Sequence, residues 1–230
     1  MKRVAIIQSN YIPWKGYFHI INSVDIFIFL DSVQYTSRDW RNRNRIITSN
    51  GSIWLTVPVS TTGKLIKEKK IVSGDWQEKH FQTFKRYYCR SPFWEKYLPF
   101  FDEVYLRKRW SNLSELNQFL IRKISDYLGI STLFLQDSEL TEIQGKNERI
   151  IHLLKQIEAE VYISGPAALA YLEEKKFNEN GIKLEIFKYP EYKVYPQQWG
   201  KFEHNVSILD MLLNLGDKAG EYIWGERKEL

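Results

Sequence analysis

The first thirty residues constrain this chain most. "RVAIIQ" (3–8) is a short apolar run, and "DIFIFLD" (25–31) is continuously apolar until Asp31 ends it. A strand with one wet face alternates in polarity; a run apolar on both sides belongs inside a parallel sheet covered by helices. A helix beginning near Gly16 and carrying "YFHIINSV" joins the two runs into a β-α-β unit, right-handed by the usual rule.

The rhythm returns after residue 130. "STLFLQDS", "EVYISG" and "KLEIFKY" read as strands, with "KNERIIHLLKQIEA" and "PAALAYLEEKKF" as the helices between them. "NVSILDMLLNLG" is a last helix stopped by Gly216. These units predict an α/β fold with a mostly parallel, Rossmann-like sheet. In the middle, "RNRIITS" and "SIWLTVPVS" flank Asn50-Gly51 and predict a hairpin. A basic connector with a short edge strand, "TTGKLIKEKKIVSGD", follows. Three helical segments come next: "DWQEKHFQTFKRYY" with Asp75 as N-cap, "SPFWEKYLPFFDEVY" with Pro92 at its first position, and "NLSELNQFLIRKISDYLG" closed by Gly129. The expectation is a single α/β domain over 1–230 with a mainly helical insertion at about 75–128.

The net charge of +5 favours anionic partners: phosphates, nucleotides, nucleic acid or an anionic membrane surface. No helix-turn-helix, zinc-finger or RRM-type signature is present, so nucleic acid is not the expected partner. The single cysteine, Cys89, excludes an internal disulfide and a cysteine zinc site, and it reads as structural. No two histidines have metal-ligand spacing, and no metal is expected. No apolar run approaches the ~18 residues of a spanning helix, and "MKRVAIIQSN" is too short for a signal-peptide core. A cytoplasmic protein is expected.

Open α/β sheets bind ligands beyond the carboxyl ends of their strands. "QSNYIPWKGY", Asp31 and "SGPAALAY" all fall at such ends. The first brings Gln8, Asn10, Tyr11, Trp14 and Tyr17 together, amides with polar-tipped aromatics. Ser164 and Gly165 precede an expected helix start, where unpaired N–H groups favour phosphate or carboxylate; a plain N-cap at Ser164 is the alternative. "TSRDWRNRNRI" holds Arg38, Arg41, Arg43 and Arg45, the last three on one face if extended. Such guanidinium forks bind phosphate, and Tyr35 and Trp40 can stack on a base or sugar. A charged edge strand would have the same composition. His80 is the preferred general-base candidate because His titrates near neutrality; His19 and His152 read as packed.

"QSNYIPWKGYF", "DSVQY" followed by "RNRNRI", "WLTVPV", "YISGPAALAYL" and "NVSILDMLLNLG" occur in this order across nearly the whole chain. Together they resemble the WbqC-like family, encoded in bacterial O-antigen and other surface-polysaccharide gene clusters. The family's opening pattern is matched at Gln8, Asn10, Tyr11, Pro13, Trp14, Gly16 and Tyr17, with Ser9 where the pattern has Pro. The resemblance implies a transferase acting on a nucleotide-linked amino sugar. Its donor would be an acyl or aminoacyl thioester of a carrier protein or coenzyme A. In that reading Gln8, Asn10 and Tyr11 orient the sugar, and Trp14 and Tyr17 shape the pocket. Arg41, Arg43, Ser164 and Gly165 hold phosphates, and Asp31 or His80 is the base. The same loop is similar to a degenerate HxGH signature of nucleotidylyl-transferring folds, with Trp14 and Tyr17 where two His would stand and Gly16 kept. An ATP-dependent nucleotidyltransferase or ligase, and a non-catalytic sugar-binding module, are the alternatives.

Overall fold

The computed structural model of the chain describes residues 1–140 and 145–225. Strand β1 (Arg3–Ile7), helix α1 (Lys15–Asn22) and strand β2 (Ile26–Phe29) form the opening unit. A hairpin of β3 (Arg43–Thr48) and β4 (Gly51–Thr56) follows, then helices α2 (Trp76–Tyr88), α3 (Trp94–Asp102) and α4 (Leu113–Tyr127). Next come β5 (Leu133–Gln136), α5 (Lys146–Gln156), β6 (Val161–Ser164), α6 (Glu174–Glu179) and β7 (Lys183–Ile186). Helices α7 (Ile208–Leu215) and α8 (Glu221–Trp224) end the described chain.

Five strands make one parallel sheet in the order β5-β2-β1-β6-β7. Ala5 at its centre is paired with Phe27 on one side and Ile163 on the other. Successive side chains alternate between faces. Ala5, Phe27, Phe29 and Ile163 enter the larger core with α1, α2, α4 and α7. Val4, Ile6, Ile28 and Tyr162 enter a second core under α5 and Phe177 of α6. Burial on both faces accounts for the unbroken apolar runs. The chain builds outward from β1 through β2 to β5, then crosses to place β6 and β7 on the other side. The switch therefore falls between β1 and β6, where folds of this kind open a ligand crevice.

Several local expectations change. The helix predicted from Pro166 is a tight turn, Pro166–Ala170, separated from the six-residue α6. α3 starts at Trp94 rather than at Pro92, and a wider turn, Glu103–Arg107, continues it. Asp75 stands at the α2 N-cap position but makes no capping hydrogen bond there; its carboxylate pairs with Lys79 at 3.0 Å. The connector after β4 holds a short turn, Ile66–Glu68, and isolated bridges such as Val59 to Ile71 in place of an edge strand. In the hairpin, Thr48 pairs with Gly51, so Ser49 and Asn50 form the turn and Gly51 takes φ +94°. The hairpin has two characters. Ile46 and Leu55 are buried, while Arg43, Arg45, Trp54 and Thr56 share the opposite face.

Candidate functional site

Residues 8–18 leave β1 and reach α1 by a strained route. Ile12 has φ +37°, a left-handed backbone that β-branched residues rarely adopt. Asn44 of β3 holds it: its amide donates to the carbonyl oxygens of Tyr11 (3.2 Å) and Ile12 (2.9 Å). The Tyr11 amide donates to the Trp40 carbonyl at 3.0 Å, and the Ser9 amide to Asp31 at 2.9 Å. The Tyr17 hydroxyl donates back to the Gln8 carbonyl at 3.0 Å. Strain held by this many partners is a mark of a functional site.

Trp14 and Gly16 depend on each other. A Cβ at Gly16 would lie 2.3 Å from the Trp14 ring, so only glycine admits the indole. Gly16 stands inside the first turn of α1, so the close approach of Trp14 is what demands it, rather than a turn. The indole also meets Tyr189 and Tyr192, with ring centroids 5.1 and 6.0 Å away.

A cavity of about 390 Å³ opens at this loop, lined by Asn10, Trp14, Trp40, Asn44, Arg45 and Asn205, with Pro13. Asn10 Oδ1 accepts from Arg41 at 3.0 Å, which leaves its amide nitrogen as the group able to donate to a ligand. Amides beside tryptophan faces suit a polyhydroxylated ring with one apolar side.

Two lining residues, Trp14 and Asn205, are chain neighbours of Lys15 and His204. Lys15 is buried, and its Nζ lies 2.8 Å from His204 Nδ1. The rings of Tyr192, Tyr195 and Phe202 surround the ammonium at 5.3 to 5.6 Å. Burial lowers the Lys15 pKa to about 8, against the opposing pull of Asp210 and Glu203. His204 is also lowered, first by burial and then by the Lys15 charge. Asp210 completes the group. It accepts from Tyr195 (2.7 Å), Tyr88 (2.9 Å) and Gln197 (2.9 Å), and burial raises its carboxyl pKa. Sequence reasoning passed over this pair. Lys15 looked like one basic residue in an aromatic motif, and "FEHN" carries no spacing signal.

The sequence-derived candidates separate into two sets. Asn10 and Trp14 line the cavity, while Arg43 lines a groove beside it. Arg41 precedes β3 and engages Asn10 and Asp39 (3.5 Å), so it leaves the row formed by Arg43 and Arg45. Gln8 lines a separate cavity of about 520 Å³ with Ser32, Lys146 and Tyr171. Tyr35 lies under the Lys69 ammonium, 4.7 Å from its ring, and lines neither cavity. Asp31 is buried, with its oxygens taken by the Ser9 amide, the Ser114 hydroxyl and the Gln118 amide at 3.0 Å. His80 Nδ1 lies 2.8 Å from the buried Tyr11 hydroxyl, which itself meets Tyr105 at 2.7 Å. Burial takes the His80 pKa down to about 4, and pushes those of Tyr11 and Tyr17 up. The Ser164 hydroxyl accepts from Tyr162 at 3.3 Å inside the sheet. Gly165 precedes the tight turn, so the helix-dipole argument for an anion there lapses. Among the described residues, no group of three His, Cys, Asp or Glu is placed to hold a metal ion.

A doubly wound parallel sheet, a strained aromatic loop at its switch point, and an amine–imidazole pair whose chain neighbours line a cavity characterise this α/β protein. The family model for the WbqC-like protein family matches residues 8–222, and the chain belongs to that family. It is 44% identical over 226 residues to the uncharacterized protein Rv1507c of Mycobacterium tuberculosis (strain ATCC 25618 / H37Rv), covering 97% of this chain and 98% of that one. No solved structure matches the chain. No helix among the described residues is long and apolar enough to cross a membrane.

Proposed function

We propose that this protein is a transferase of bacterial surface-polysaccharide (O-antigen) biosynthesis. It moves an acyl or aminoacyl group from a thioester donor, carried by an acyl carrier protein or coenzyme A, to the amine of a nucleotide-linked amino sugar. Family membership supports the biosynthetic setting. The observation that carries the chemistry is the hydrogen-bonded Lys15–His204 pair, whose chain neighbours Trp14 and Asn205 line the cavity with Asn10. A sugar amine must be neutral to attack a thioester carbonyl. As the N–C bond forms and the C–S bond breaks, the amine gives its proton to a base and the leaving thiolate takes one up. With Lys15 neutral, His204 can donate from Nδ1 to the Lys15 lone pair, which leaves Nε2 as the acceptor. With Lys15 charged, Nζ donates to Nδ1 and Nε2 carries the proton. The base is armed above a pH of about 8. His80 and Asp31 then act as buried positioning residues that hold the 8–18 loop and its surroundings.

Purified protein given amino-sugar nucleotides and acyl thioesters should release free thiol, with the rate rising through about pH 8. No thiol release from any such pair would end this reading. The strand order, with the 8–18 loop at the switch point, favours nucleotidyl transfer as a second reading; it predicts pyrophosphate release from ATP and Mg²⁺ in the same assay. A binding module would take up the sugar nucleotide without turnover.

A further inference from the structure

The outer face of the hairpin forms a groove of about 380 Å³ that shares Trp40 and Arg45 with the sugar cavity. Its other walls are Arg38, Arg43 and Trp54, with Asp39. Trp40 and Trp54 are 42% and 45% exposed, unusual for indoles, and lie with ring centroids 5.4 Å apart. The Arg43 guanidinium stacks 4.3 Å from the Trp54 ring centroid, and that of Arg45 lies at 5.6 Å. The stacking fixes both forks in place. Among the described residues, Asp39 is paired with Arg41, and no carboxylate lies within 4 Å of Arg38, Arg43 or Arg45. The Nε groups of Arg43 and Arg45 are shielded from solvent and make no hydrogen bond. One terminal nitrogen of Arg43 donates to the Arg38 carbonyl and one of Arg45 to the Asn205 carbonyl at 3.1 Å, which leaves the other terminal nitrogens of the two forks to meet an oxyanion.

We infer that this groove is the nucleoside-diphosphate subsite of the sugar-nucleotide substrate, which rests on the proposed function above. The base packs against the exposed parts of the Trp40 and Trp54 indoles. The diphosphate lies against Arg43 and Arg45. Arg45, common to both compartments, stands at the junction between sugar and phosphate, so the sugar enters the cavity of Asn10 and Asn205. The groove is therefore expected to recognise a nucleoside diphosphate without its sugar.

Isothermal titration of the full chain with UDP, GDP, UMP and inorganic pyrophosphate tests this. Trp54 and Arg43 are on the outer face, so Trp54→Ala and Arg43→Gln are expected to leave the melting temperature of the protein unchanged, which is checked alongside. UDP and GDP should bind, and UMP more weakly. Trp54→Ala should lose about ten-fold in nucleotide affinity through the lost stack, and less in pyrophosphate affinity, which loses only the ordering of the forks. Arg43→Gln should weaken nucleotide and pyrophosphate alike. The inference is overturned if wild type binds neither diphosphate at millimolar concentration, if both variants bind as wild type, or if oligo-dT binds a hundred-fold tighter than UDP. The Asn10→Ala variant separates the two readings: it should keep UDP affinity while losing sugar-nucleotide turnover. UDP binding without thiol release from any substrate would end the transferase reading and leave the subsite standing. Thiol release from free amino sugars without diphosphate binding would do the reverse.

Discussion

At the scale of single residues, burial decides what each titratable group can do. His80 takes up a proton near pH 4 when folded and near 6.5 when unfolded. Between those values the unfolded chain holds more protons, so stability rises with pH across the window and is lost as pH falls through it. The loss amounts to roughly 3 kcal/mol. Urea midpoints from pH 4 to 7 should show this slope in wild type and a flatter one in His80→Phe; equal slopes would refute the assignment. Lys15 and His204 carry the opposite kind of prediction, about rate. Lys15→Met and His204→Phe should each lose the rise in activity near pH 8, read from a pH–rate profile. Gly16→Ala would push a methyl group into the Trp14 ring. The expected cost is about 1–3 kcal/mol of stability, with altered Trp fluorescence.

At the scale of elements, one carboxylate ties three pieces together. Asp210 of α7 accepts from Tyr88 at the end of α2, and the Tyr88 hydroxyl accepts from the Ile47 amide of β3 at 3.1 Å. Asp210→Ala would leave the buried hydroxyls of Tyr88 and Tyr195 without their acceptor. The cost expected from chemical denaturation is about 3 kcal/mol; Asp210→Asn, which still accepts, should cost less. α4 has a simpler anchor: Asn112 Oδ1 accepts from the Glu115 amide at 3.1 Å. Asn112→Ala should lower stability by about 1 kcal/mol without changing ligand affinity.

At the scale of the whole molecule, a net charge of +5 is small, but its arrangement is uneven. Four arginines between residues 38 and 45 stand against Asp39 alone. Nucleotide affinity should therefore fall steeply between 50 and 500 mM salt as the field is screened over about 10 Å or less. Affinity unchanged by salt would argue against a phosphate site in the groove.

The apolar runs of β1 and β2, and the strand–helix rhythm after residue 130, determined the parallel α/β class by themselves, because burial on both faces leaves no room for polar alternation. The loop at 8–18 was equally legible, since its residue types sit at a strand end. Asn10, Trp14 and Arg43 do border a cavity or groove. Tyr11 is expected from its type to orient a sugar, and Asp31 or His80 to act as base, yet each is closed in by partners far away in the chain. Lys15 and His204 lie 189 positions apart, and no local pattern links them. Only the tertiary structure brought them to 2.8 Å and buried the amine among three aromatic rings. Residue type and periodicity are local and survive in a string of letters. Desolvation and long-range hydrogen bonding exist only once the chain is folded, and they set which side chains are free to act.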